Sequence, residues 1–125
     1  MEQLSRLNHK DLILWRKALD LAVLVHQSSA ALPRSETYGL VSQLRRAATS
    51  VPSNVAEGHA RRSTKEFIYF LHVALGSMAE LETQLLLAQR VGYLSESEVT
   101  SLQDRIEEVG RVLHAVVAAL RRRVG

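Results

Sequence analysis

From Phe67 onward apolar residues return at alternating steps of four and three: Phe67, Leu71, Ala74, Met78, Leu81, Leu85 and Ala88. That rhythm is the a/d seam of an α-helix, and it is incompatible with the two-residue alternation of a strand. It stops near Gly92 and resumes as Val99, Leu102, Ile106, Val109, Leu113, Val116, Leu120 and Val124. A helix with such a seam must bury it against other elements. The 125 residues are one domain in size, and 46% are hydrophobic, enough for a single core. Two prolines and six glycines are all that punctuate the chain. The fold class is therefore all-α.

The periodicity predicts four helices in one domain spanning 1–125: about 10–31, 37–60, 64–91 and 96–122. In the first, Trp15, Leu19, Ala22, His26 and Ser29 form one stripe, and Leu14, Ala18, Leu21, Val25 and Leu32 form another. Asn8 or Asp11 can cap its start, and Pro33 ends it. Ser63–Thr64–Lys65–Glu66 and Ser95–Glu96–Ser97–Glu98 are capping boxes for the third and fourth helices. Gly92, followed by Tyr93 and Leu94, suits a Schellman ending. Gly76, inside the third helix, predicts a close helix approach that offsets its cost of about 1 kcal/mol. Short links between long helices imply an antiparallel up-down-up-down four-helix bundle. The doubled stripes exceed what one such bundle buries, so the chain is expected to self-associate.

The second helix carries two rows side by side. Leu40, Leu44, Ala47, Val51 and Val55 are apolar, whereas Gln43, Arg46, Ser50, Asn54, Glu57 and Arg61 are polar throughout. Pro52 lies in its middle, where the ring presses on the carbonyl of Ala48 and costs about 3 kcal/mol unless the chain bends. Small neighbours favour a kink. The alternative is a ligand notch formed by the Ala48 carbonyl with Ser53 and Asn54. Arg45, Arg46, Asn54 and Glu57 could meet Glu80 and Glu82 of the third helix. A polar network that sets register is the favoured reading, and a binding pocket is the competing one.

Chemistry-bearing motifs are few. The absence of cysteine excludes disulfides and thiolate sites and fits a reducing cytoplasm. No signal-peptide core and no membrane-spanning run are evident. His9, His26, His59, His72 and His114 are scattered, and none follows a Glu at di-iron spacing. No nucleophile elbow or phosphate loop occurs. No cofactor, no metal and no catalytic residue are expected. The basic residues are the functional lead. An up-down-up-down bundle gathers Arg6, Lys10, Arg61, Arg62, Lys65, Arg121, Arg122 and Arg123 at one end, against Glu2, Asp11, Glu57 and Glu66. That end carries a net charge of about +4, within a chain total of +3, and could attract a polyanion. A solvated end that only complements helix dipoles is the plainer alternative.

The run Ser42-Gln43-Leu44-Arg45-Arg46-Ala47-Ala48, then Val51-Pro52-Ser53-Asn54-Val55-Ala56-Glu57-Gly58, then Glu80-Leu81-Glu82-Thr83-Gln84-Leu85 and Gly92-Tyr93, resembles a known family. Its members are small four-helix-bundle proteins encoded in intervening sequences of bacterial large-subunit rRNA. They include the accessory variability determinant of diversity-generating retroelements. The resemblance covers roughly residues 10–120 and implies an antiparallel bundle assembled as a ring-like homopentamer, without enzymatic activity. For the retroelement member it implies binding to nucleic acid and to a reverse transcriptase. The expected function is thus a non-enzymatic oligomeric bundle that binds the RNA or DNA backbone through a basic rim. A protein-interaction scaffold with no nucleic-acid role is the alternative.

Overall fold

The computed structural model describes residues 8–124. Four α-helices fill them: α1 (His9–Ser29), α2 (Leu40–Ala60), α3 (Thr64–Arg90) and α4 (Glu96–Val124). A short 3-10 turn, Arg34–Glu36, links α1 to α2, and no strand occurs among the described residues. Helices α1 and α3 each pack on both α2 and α4. Between them lies one core, in which Leu14, Leu21, Leu44, Leu71, Leu81, Leu85 and Leu113 are fully buried. Every seam residue of α3 is buried, and every seam residue of α4 except the terminal Val124.

The helix ends follow from local chemistry. Asn8 caps α1 by accepting the Asp11 N–H at 2.9 Å, and Ser63 caps α3 by accepting the Glu66 N–H at 3.1 Å. Ser95 does the same for the Glu98 N–H at 3.1 Å. Each satisfies a donor that the first turn leaves orphaned. At the other end of α3, Gly92 has φ 88°. The Tyr93 N–H reaches the Ala88 carbonyl at 2.9 Å and the Gly92 N–H reaches that of Gln89 at 3.0 Å, which is a Schellman closure.

Helix α1 ends at Ser29, two residues before its expected limit. Leu32, next to Pro33, lies beyond the helix with its N–H on the Ser29 carbonyl at 3.1 Å, and a residue before proline is biased away from continuing a helix. Helix α2 begins at Leu40, three residues later than the periodicity suggests. The 3-10 turn takes up the intervening chain, and Glu36 then serves as cap: its Oε1 accepts the Leu40 N–H at 3.1 Å. Its Oε2 accepts the Tyr93 hydroxyl at 3.0 Å. That carboxylate holds the Tyr93 phenol above its ordinary value, with burial adding to the effect.

Two glycines behave in opposite ways. Gly58 is where backbones crowd: a Cβ there would come within 2.8 Å of the Phe70 Cβ and 2.9 Å of the Phe67 Cδ1. Gly76 is exposed, and a Cβ there would meet nothing within 4 Å. The close approach expected at Gly76 is instead made at Gly58, because position 76 lies on the solvent side of α3. Pro52 is buried within an unbroken α2.

Candidate nucleic-acid interface

Four helix termini supply the basic residues. Lys10 opens α1, Arg61 and Arg62 follow α2, Lys65 lies in the first turn of α3, and Arg121, Arg122 and Arg123 close α4. All seven are exposed. Contacts tie these ends together. Asp11 in the first turn of α1 feels the charges of His59 in α2 and Arg123 in α4. A cleft of about 330 Å³ is lined by Lys10, Asp11, Leu120 and Arg123. Arg121 reaches α3, with its Nη2 2.9 Å from the His72 Nε2, an arrangement in which the guanidinium donates and the neutral ring accepts. Arg61 lies over the Phe70 ring at 4.9 Å from its centre, a cation–π contact. The carboxylates nearby are Asp11, Glu57 and Glu66. Seven cations against three leave this end about four charges positive. Arg6 and Glu2 lie outside the described residues.

Among the described residues Asp11 is the one buried carboxyl of this end, with 5% of its surface exposed. Burial pushes it above its ordinary value, and the positive neighbours His59 and Arg123 pull the other way. Glu57 is engaged by Arg61 one turn on, so part of the charge is neutralised within α2.

The polar row of α2 takes partners other than those the sequence suggests. Arg45 turns to α1, where its Nε donates to the Ser29 hydroxyl at 2.9 Å and its Nη2 to the His26 carbonyl at 3.2 Å. Arg46 donates to the Ser42 hydroxyl at 3.1 Å. Asn54 folds back on Ser50, donating to its carbonyl at 2.8 Å and its hydroxyl at 2.9 Å. The hydroxyls of Ser50 and Ser77 meet at 2.7 Å and join α2 to α3. Among the described residues the ion pairs are Lys17–Glu108, between α1 and α4, and Arg61–Glu57. Glu82 is half-buried and enters neither pair, while Glu80 shares a hollow with Arg46. The residues of the suggested notch diverge. Ser53 lines an apolar groove between α1 and α2 with Trp15, Leu19 and Pro52, whereas Asn54 bonds toward the α3 side.

Sequence reasoning missed His72, Phe70 and Gln84. The first two become part of the basic end only through register across helices. That register was available in outline, since α3 starts where α2 stops. Gln84 carries a buried Oε1 with no hydrogen-bond partner among the described residues, and nothing in its local sequence marks it. No group of His, Asp or Glu among the described residues is placed to hold a metal ion. No helix there is long and apolar enough to cross a membrane.

Two similarities to known proteins bear on this fold. The family described as 23S rRNA-intervening sequence protein matches residues 10–115. A crystal structure of a protein of unknown function from the S23 ribosomal protein family of Bacteroides thetaiotaomicron VPI-5482 superposes with a TM-score of 0.79. The two are 25% identical, and the match covers 87% of this chain and 98% of that one. No curated protein matches the chain.

Proposed function

Because the chain belongs to the family of 23S rRNA-intervening sequence proteins, we propose that it is a non-enzymatic, cytoplasmic, oligomeric helical bundle whose basic end binds the backbone of RNA or DNA. The convergence of seven exposed cations from four helix termini carries this reading. Aromatic rings at that end are few: Phe70 lies beneath Arg61, and the exposed Tyr69 stands edge-on to that ring. Binding is therefore directed at phosphates and is sensitive to salt, without base readout.

The bundle underlying this reading is antiparallel, up-down-up-down. Cross-helix pairs support it: Lys17 with Glu108, His72 with Arg121, Ser50 with Ser77, and Arg45 with Ser29. At a second level of each couple the order reverses, with Asp11 near His59 and Arg123, Arg61 over Phe70 and Gly110 near Met78, so residue numbers rise along one helix as they fall along its neighbour. Exposed apolar side chains support assembly into a ring of like copies, with five as the number the resemblance implies. Leu19 and Val23 rim the α1–α2 groove, and Leu86, Leu87 and Val91 stand out from the end of α3. In a ring of five, one rim would carry five copies of the basic end. A protein such as a reverse transcriptase is a further candidate partner. The alternative is a protein-interaction scaffold that does not use its charge, supported by the same exposed apolar residues.

The deciding experiment is a filter-binding titration of the full chain with duplex and single-stranded RNA and DNA at rising salt. Binding at about 50 mM salt that falls log-linearly as salt increases is expected. No binding at that salt sinks the proposal and leaves the scaffold reading.

A further inference from the structure

Between α2 and α3 lies a hollow of about 580 Å³, lined by Gln43, Arg46 and Ser50 from one helix and Ser77, Glu80 and Gln84 from the other. Its existence follows from residue size. Ala47, Ser50 and Ser77 are the residues at the helix contact, and side chains this short cannot fill the space between two rods. The Ser50–Ser77 hydroxyl pair, at 2.7 Å, joins the two helices across it. The volume falls within the range of small-molecule sites.

Its two charged walls are exposed and make few contacts with protein groups. Of the five donors of a guanidinium, Arg46 places one hydrogen bond, on Ser42. Glu80 is exposed and in neither of the ion pairs found among the described residues. Gln84 Oε1 is shut off from water without a partner, a state that costs a buried acceptor about 1–3 kcal/mol. The hollow thus offers one cation and one anion, with the Gln84 side chain forming part of its wall. A simple anion placed there would meet Glu80, and a simple cation would meet Arg46. A molecule bearing both charges satisfies each wall.

We propose that the α2–α3 hollow binds a small zwitterion of the α-amino-acid class. Its carboxylate pairs with the Arg46 guanidinium, which suits two-point recognition of a planar oxyanion. Its ammonium has three donors and distributes them over the Glu80 carboxylate and a serine hydroxyl. The site is separate from the basic end: Arg46 precedes Arg61 by 15 residues, about 22 Å along α2. It stands or falls independently of nucleic-acid binding.

The test is an NMR titration of the isotope-labelled full chain with glycine and L-glutamine, following the side-chain amide of Gln84. Acetate and methylammonium, each carrying half the charge pattern, serve as controls. Saturable shifts at Gln84 are expected with the amino acids, with affinity at least about tenfold weaker for either control ion. Glu80→Gln and Arg46→Gln should each weaken binding by about tenfold or more, with helical content by circular dichroism unchanged. Equal response to acetate and glycine overturns the proposal, as does no response up to about 50 mM ligand. If Glu80→Gln alters the subunit number while the titration stays flat, the hollow is instead a contact between copies, and the proposal also falls.

Discussion

Gly58 and Gly76 are the same residue type in neighbouring helices, and packing gives their substitutions opposite signs. Gly58→Ala would push a methyl into the backbone and ring of α3, with Phe70 Cβ at 2.8 Å and the Phe67 carbonyl at 3.2 Å. Over-packing of this kind costs about 1–3 kcal/mol. Gly76→Ala places its methyl in open space and removes a helix-interior glycine, which should stabilise by about 0.5–1 kcal/mol. Urea unfolding of the two variants beside the parent chain checks both, and a destabilised Gly76→Ala would contradict the exposure of that position. Asp11 gives a pH-dependent prediction. Its carboxyl is raised above 3.8 chiefly by burial, so the folded state holds the proton more tightly than the unfolded chain. Its contribution to stability is complete below that value and is lost as pH rises through the folded value. Asp11→Asn should therefore match the parent near about pH 3 and exceed it at neutral pH. A stability gap that does not widen across that range would show that the buried charge has found compensation.

Helix ends were the most legible part of this chain, because a cap is written in three or four adjacent residues. Ser63 with Glu66, Ser95 with Glu98, and Gly92 with Tyr93 act where their spacing implies. Ser63→Ala removes the acceptor for the Glu66 N–H and should cost about 1 kcal/mol. Thermal melting detects this, and Ser63→Asp should restore most of the loss. The start of α2 was harder to see. Its cap is the side chain of Glu36, four residues upstream across a 3-10 turn, and no short motif encodes that. The polar row was visible as a row, but its partners were not. Whether Arg45 faces α1 or α3 depends on a rotation of α2 within the bundle that the apolar stripe, several residues wide, leaves open. The gathering of cations followed from helix order alone, whereas the His72 and Phe70 contacts needed the register between helices. The hollow beside Gln84 was illegible for the same reason, since it arises from three small side chains on two rods meeting at one level.

At the scale of the whole molecule, charge is the property to test. Replacing Arg121, Arg122 and Arg123 together by alanine should leave the core intact, because all three are exposed. If that end touches phosphates, the salt slope of binding should fall by about one per lost contact, up to about three. An unchanged slope would move the interface elsewhere. The far end has another character. There one carboxylate, Glu36, takes the first amide of α2 with one oxygen and the Tyr93 hydroxyl with the other. Two connections distant in sequence are thereby buckled to a single post. Neither can loosen without slackening its counterpart, so the backbone amides of Leu40 and Tyr93 should trade their hydrogens for deuterium in step, and Glu36→Ala should release both at once.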